Sequence, residues 1–156
     1  MKQRLAEFLF DQVGMSHRFV VRIDRGLYDL GTWSKVAGLS VSWNKLSYRA
    51  GENNEEHVFP GNVSYQTIKL SRAACSDSAT VQKWLSTTAT HRESLSGGIY
   101  MLEFTGRPVI TWELKEFFPI GWSVSDFDST AGRPAVETLE LAHSGFLNSE
   151  ATVTAP

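Results

Sequence analysis

A single cysteine, Cys75, stands in a chain of 156 residues. No disulfide can therefore close within it, and no thiolate cluster of zinc-ligand spacing can be assembled. With no base recognisable beside it, Cys75 reads as a small residue near a helix start and not as a nucleophile. An excess of charge of one sign is missing too. Fifteen basic against seventeen acidic residues leave a net charge of −2, without the basic face that nucleic acid or an anionic membrane selects. No apolar run approaches the ~20 residues needed to span a bilayer. The basic and then apolar start, with Leu5, Phe8, Leu9, Phe10 and Val13, is interrupted by Glu7 and Asp11 and lacks a small-residue cleavage site. Cytoplasmic synthesis without a signal peptide, and no membrane partner, are the expectations.

Catalytic signatures are equally scarce. None of His17, His57, His91 and His143 belongs to a His-Glu-x-x-His metal motif. Ser96-Gly97-Gly98 and Ser144-Gly145 lack the Gly-x-Ser-x-Gly elbow, and no strand runs into a glycine-rich phosphate loop. Glu140 lies three residues before His143, an odd offset that places the two on opposite faces of a strand. His143 then reads as a buried or interface hydrogen-bonding group. The crowded stretch from Glu52 to Glu56 lacks the alternating oxygen ligands and terminal Glu of a calcium loop, and reads as a solvated or subunit-contacting loop tip. No catalytic residue, no cofactor and no metal site is expected, so function has to reside in shape and surface.

What the chain does have is apolar and aromatic mass: 42% hydrophobic residues, with five Trp, nine Phe and four Tyr. That suits one packed core in a chain of this length. Leu5, Phe8, Leu9 and Gln12 fall at helical spacing, which predicts a short amphipathic helix or ordered arm over residues 1–14. After Gly14 the period becomes two. Phe19, Val21 and Ile23 alternate in a first strand, and Leu39, Val41 and Trp43 alternate with Ser40, Ser42 and Asn44 in a second. The polar stretch from Gly51 to Asn62 reads as a large connection in a long hairpin that resumes over Val63 to Leu70. Ser76, Asp77 and Ser78 can each cap a helix whose face carries Val81, Trp84, Leu85 and Thr88. A second hairpin spans Ile99 to Phe104 and Val109 to Leu114. Phe117 to Trp122 reads as an aromatic corner, and Val136 to Ala142 as the last strand. The fold class expected is mainly β, an antiparallel β-sandwich or barrel with one flanking α-helix. A β domain would cover 15–147, and a flexible tail 148–156.

Two segments carry a resemblance. Tyr48-Arg49-Ala50-Gly51-Glu52-Asn53-Asn54 leads to His57-Val58-Phe59-Pro60-Gly61, and far downstream stands Glu137-Thr138-Leu139-Glu140-Leu141-Ala142-His143-Ser144-Gly145. Between them and before them lie Ser34-Lys35-Val36-Ala37-Gly38-Leu39, Tyr65-x-x-Ile68-x-Leu70-x-Arg72, Gly106-x-Pro108-Val109-x-x-Trp112 and Pro119-x-x-Trp122. In this order they resemble the tail-tube family of contractile phages and phage-like injection particles. Ala50, Glu52, Ala73 and Ser144 depart from its usual wording.

The resemblance implies a small β-barrel or sandwich assembling into stacked hexameric rings inside a contractile sheath, around a lumen for cargo or DNA. Its partners would be further copies of itself, the sheath, and baseplate or tube-initiator proteins. Tyr48, Arg49, Gly51, Asn53, Asn54, His57, Pro60, Gly61, Glu140 and His143 become candidates for subunit contacts, with Pro60-Gly61 making a return turn. Ser40, Ser42 and Asn44 become candidates for the lumen wall. A tube-initiator subunit at the baseplate is the alternative within the same class. A monomeric module stacking Trp43, Trp112 or Trp122 on a sugar or peptide is the alternative outside it, disfavoured because these tryptophans fall on apolar faces expected to be buried.

Overall fold

A computed structural model describes residues 19–23, 29–49, 51, 55–91, 95–102 and 105–147. The expected arm at 1–14, the tail at 148–156, and Asn53 and Asn54 lie outside the described residues. Among the described residues nine strands and one helix follow in order: β1 (Phe19–Ile23), β2 (Asp29–Thr32), β3 (Lys35–Ala37), β4 (Val41–Arg49), β5 (Glu56–Tyr65), β6 (Ile68–Ala73), α1 (Ser78–Thr90), β7 (Leu95–Leu102), β8 (Pro108–Val124) and β9 (Val136–Ala142).

Seven strands form one antiparallel sheet in the order β2-β1-β7-β8-β9-β6-β3. Its two outer strands, β2 and β3, are separated in the chain only by Trp33 and Ser34. Such a link reaches roughly 10 Å at ~3.4 Å per residue, so the sheet has to curl until its edges nearly meet. The result is a barrel rather than two separate layers. Ser34 holds the link down, its N–H and its hydroxyl both donating to the Ser71 carbonyl at 3.0 and 2.9 Å.

The curl is concentrated in β8. Its 17 residues pair with β7 as far as Phe117 and with β9 from Phe118 onward. Glu116, with φ of 47°, takes the left-handed conformation between the two halves, and the register slips again at Ile120. Both devices bend a strand without ending it. The expected corner from Phe117 to Trp122 is therefore a bent continuation of the hairpin strand.

Period two sets the core. Ile68, Leu70, Ile99, Leu114, Leu139 and Leu141 point inward and are buried. Helix α1 adds Val81 and Trp84, the latter 6.1 Å from the Phe117 ring between centroids. Asp77 at the helix start makes no side-chain cap. Ser78 Oγ instead accepts from the Cys75 N–H at 3.1 Å, which ties the preceding turn to the helix. Among the described residues no helix is long and apolar enough to cross a membrane.

The stretch read as one strand from Val63 to Leu70 breaks at Gln66 and Thr67. Its first part belongs to β5 and its second to β6 in the barrel. Strands β4 and β5 pair only with each other, as a separate two-stranded arm.

Candidate functional site

The arm is the feature without an internal explanation. Nine residues of strand reach roughly 30 Å, and an isolated two-stranded hairpin is marginal in water. Its extensive contacts are between its own strands. Trp43, Leu46, Tyr48, Val58, Phe59 and Val63 stand between 45% and 58% exposed. The expected burial of Trp43 therefore fails. Its neighbours do alternate correctly, but the face they make has no core beneath it.

The pairing register shows how the two faces are composed. Trp43 pairs with Val63, but Lys45 pairs with Pro60, so β5 carries one extra residue around Gly61 and Asn62. Pro60 and Gly61 thus sit mid-strand at a bulge, not in a return turn, and the polar connection is shorter than the sequence suggested. A Cβ on Gly61 would stand 2.6 Å from the Asn44 carbonyl oxygen, closer than any side chain tolerates. Gly61→Ala is expected to force the bulge open and abolish assembly while leaving the melting temperature of the barrel unchanged. Sedimentation together with calorimetry checks this, and wild-type assembly by the variant would refute it.

Directly paired residues share a face. At the base, Val41, Trp43, Val63 and Tyr65 make one face apolar while Ser42, Asn44 and Ser64 make the other polar. Beyond the bulge the polarity is exchanged. Leu46, Tyr48 and Phe59 now share the Ser42 face, with the Tyr48 ring stacked on Phe59 at 5.6 Å and on His57 at 5.4 Å. Lys45, Ser47, Arg49 and Glu56 occupy the Trp43 face, together with Val58 and Pro60. The small polar strip expected from Ser40, Ser42 and Asn44 is therefore confined to the base of the arm.

The arm is anchored by the second resemblance segment. Tyr65, His143 and Phe146 form a cluster with ring centroids 5.3 to 5.8 Å apart. His143 Nε2 lies 3.0 Å from the Gln66 carbonyl and, facing an acceptor, carries the hydrogen. Gly145 lets the Tyr65 ring approach, since a Cβ there would meet it at 3.0 Å. Glu140 is on the outer face of β9, paired with Lys69 at 2.6 Å. Of the interface candidates, Tyr48, Arg49, His57, Pro60 and Gly61 come together on the arm. Gly51 is at its far end, His143 at its base, and Glu140 away from it.

A buried ion pair escaped the sequence reading. Arg72 on β6 and Glu137 on β9 are 4% and 0% exposed, with Nε donating to Oε2 at 2.8 Å. Ser78 Oγ donates to the same oxygen at 2.7 Å, and Trp122 Nε1 to Oε1 at 2.9 Å. Arg72 Nη1 donates to the carbonyls of Leu30 and Thr32 at 2.8 and 3.4 Å, and its guanidinium lies 4.1 Å from the centre of the Trp33 ring. One side chain thus bonds the free edge of β2 where no strand pairs with it. The available signal was phase: Arg72 follows Leu70, and Glu137 precedes Leu139, at inward positions.

Burial by itself pushes the Glu137 carboxyl up, but hydrogen bonds from Trp122, Arg72 and Ser78, with the Arg72 charge, outweigh it and hold the group below its ordinary value of 4.5. A depressed carboxyl contributes stability that is present above the ordinary value and lost as pH falls through the folded-state value. The stability gap between wild type and Glu137→Gln is therefore expected to narrow as pH drops from 7 towards 3. Urea unfolding across that range checks it, and a constant gap would count against it.

Among the described residues no group of three His, Cys, Asp or Glu is placed to hold a metal ion. Among the described residues, a curled sheet with one helix and a projecting, uncovered arm is the form of a structural assembly subunit. The family model for T4-like virus tail tube protein gp19 matches residues 15–147, and the chain belongs to that family. Solved structures agree in fold. A chain of the PVC sheath-tube complex of an extracellular contractile injection system, in its extended state, superposes with a TM-score of 0.69 at 21% identity, over 88% of this chain and 92% of that one. Chains of the anti-feeding prophage baseplate and of its tube-terminating cap each reach 0.66 at 22% identity. They cover 84% and 83% of this chain and 91% and 85% of theirs. No curated protein matches the sequence.

Proposed function

We propose that the chain is the inner-tube subunit of a contractile injection system or contractile phage tail. It assembles into stacked hexameric rings around a lumen for cargo or DNA, and performs no catalysis. The observation that carries this reading is the β4–β5 arm, whose apolar side chains are bare in the single copy and require a neighbour. The arm residues Tyr48, Arg49, His57, Pro60 and Gly61, together with Asn53 and Asn54, then serve as contacts between copies. Ser40, Ser42 and Asn44 face the conduit. Residues 15–147 form the assembling domain, with 1–14 as an arm and 148–156 as a tail. Sheath and baseplate proteins are its further partners.

Negative-stain microscopy of the purified protein over a concentration series tests the reading. Six-fold rings or stacked tubes are expected, and a monomer at every concentration counts against the main-tube role. The similarity to a baseplate chain favours one second reading, a tube initiator. In that case rings form only when baseplate protein is added.

A further inference from the structure

Phe127 is 86% exposed, more than any other large apolar side chain among the described residues. The loop that presents it, residues 125–135 between β8 and β9, is tied down. Ser125 and Val136 close its neck, the Ser125 N–H donating to the Val136 carbonyl and the Val136 N–H to Ser125 Oγ, both at 2.9 Å. At its crest Asp128 Oδ1 accepts from the N–H and the hydroxyl of Thr130 at 2.9 and 2.6 Å. A bare ring on a loop already ordered loses little freedom on docking, so its burial goes largely into affinity. A groove of matching character, about 300 Å³, runs between the C-terminal half of α1 and the bent part of β8. Leu85, Thr88 and Ala89 line one side, Pro119, Ile120 and Trp122 the other, and none of these carries a charge. Ile120 is half-exposed and forms an apolar lip.

Ring and groove lie at opposite ends of one packed unit. Helix α1 starts beside the loop, where the Ala74 N–H donates to the Ala135 carbonyl at 2.9 Å and Ser78 Oγ to Glu137 Oε2 at 2.7 Å. It reaches the groove at Ala89, roughly 15 Å further on at the rise of an α-helix. We propose that Phe127 of one copy seats in the α1–β8 groove of a copy in the next ring. The buried area decides for a second copy as occupant. One aromatic side chain covers roughly 150–250 Å², against about 800 Å² per partner in a stable complex of two free proteins. A contact that small holds only where it is made many times at once, as between stacked rings in which every subunit supplies one. Because the two surfaces differ and stand at opposite ends, the contact is head-to-tail and adds copies without closing. This rests on the tube reading and deepens it by naming a residue through which one ring meets the next.

Phe127→Ser tests it, since so exposed a side chain has little packing to lose within its own copy. In micrographs over a concentration series the wild type is expected to form tubes. Phe127→Ser is expected to form rings that stack only at concentrations higher by roughly tenfold or more, the loss of one buried aromatic per contact. Ala89→Phe, which fills the groove from its own side, is expected to do the same, with the melting temperature of both variants unchanged. A trapping experiment keeps Phe127 in place: exposed Cys75 is replaced by Ser, and Asp126→Cys is combined with Ala89→Cys. Oxidised as tubes, this variant is expected to give a ladder of linked multimers on a non-reducing gel, where each single variant gives dimers at most. Tubes without a ladder, or tubes from Phe127→Ser at the wild-type concentration, overturn the seating and leave the tube reading intact. A wild type that forms neither rings nor tubes overturns both.

Discussion

Replacing Arg72 with Ala is expected to destabilise the barrel by about 3–5 kcal/mol, the usual cost of leaving one partner of a buried ion pair alone. The change strips Glu137 of its charge partner and removes the donor from the Leu30 and Thr32 carbonyls. It also removes the cation over Trp33. An apolar pair of similar volume, Arg72→Met with Glu137→Leu, is expected to recover only the part due to the unpaired charge, because the Leu30 and Thr32 carbonyls, Trp122 and Ser78 still lose their partners. Urea unfolding at concentrations below assembly measures both. A loss under about 1 kcal/mol in Arg72→Ala would mean that the pair does not hold the seam.

Changing Leu46, Tyr48 and Phe59 together to Ser is expected to abolish ring formation and leave the barrel intact. Each side chain is half-exposed in the single copy, so covering it contributes roughly 1.5 kcal/mol, the lower end for burying a large apolar group. Losing three such terms weakens each contact by roughly a thousandfold, at tenfold per 1.4 kcal/mol. Exposed positions away from the core move stability by only about 0.5 kcal/mol, so the melting temperature should hold. Light scattering reads the assembly, and calorimetry the fold. Rings at the wild-type concentration would remove the tip ridge from the interface, and a collapsed melting temperature would show that the arm supports the barrel.

The barrel strands were legible because alternation over Phe19 to Ile23 or Val136 to Ala142 marks a strand with one apolar face, and in the barrel that face is turned to a core. Strands β2 and β3 were not, since four and three residues are too short to show a period. The arm misled in a more instructive way. Val41 and Trp43 alternate just as core residues do, because an apolar face awaiting a partner and one covering a core obey the same spacing. The extra residue around Gly61 then shifts the phase of β5 against β4, which is why the polar strip of Ser42 and Asn44 could not be projected to the tip. Arg72 and Glu137 were hidden because a charge inside a strand reads as solvent-facing until its partner is located. Those two lie 65 residues apart.

The two-residue link of Trp33 and Ser34 has a mechanical meaning. Neighbouring strands within the sheet are held at their flanks by hydrogen bonds, whereas the edges β2 and β3 do not pair and are joined at one end by a two-residue stretch of covalent chain. Tension across that seam is borne by peptide bonds, with Arg72 resisting shear beside them. A wall built of such units has one joint in every subunit whose separation at one end is limited by the length of two residues.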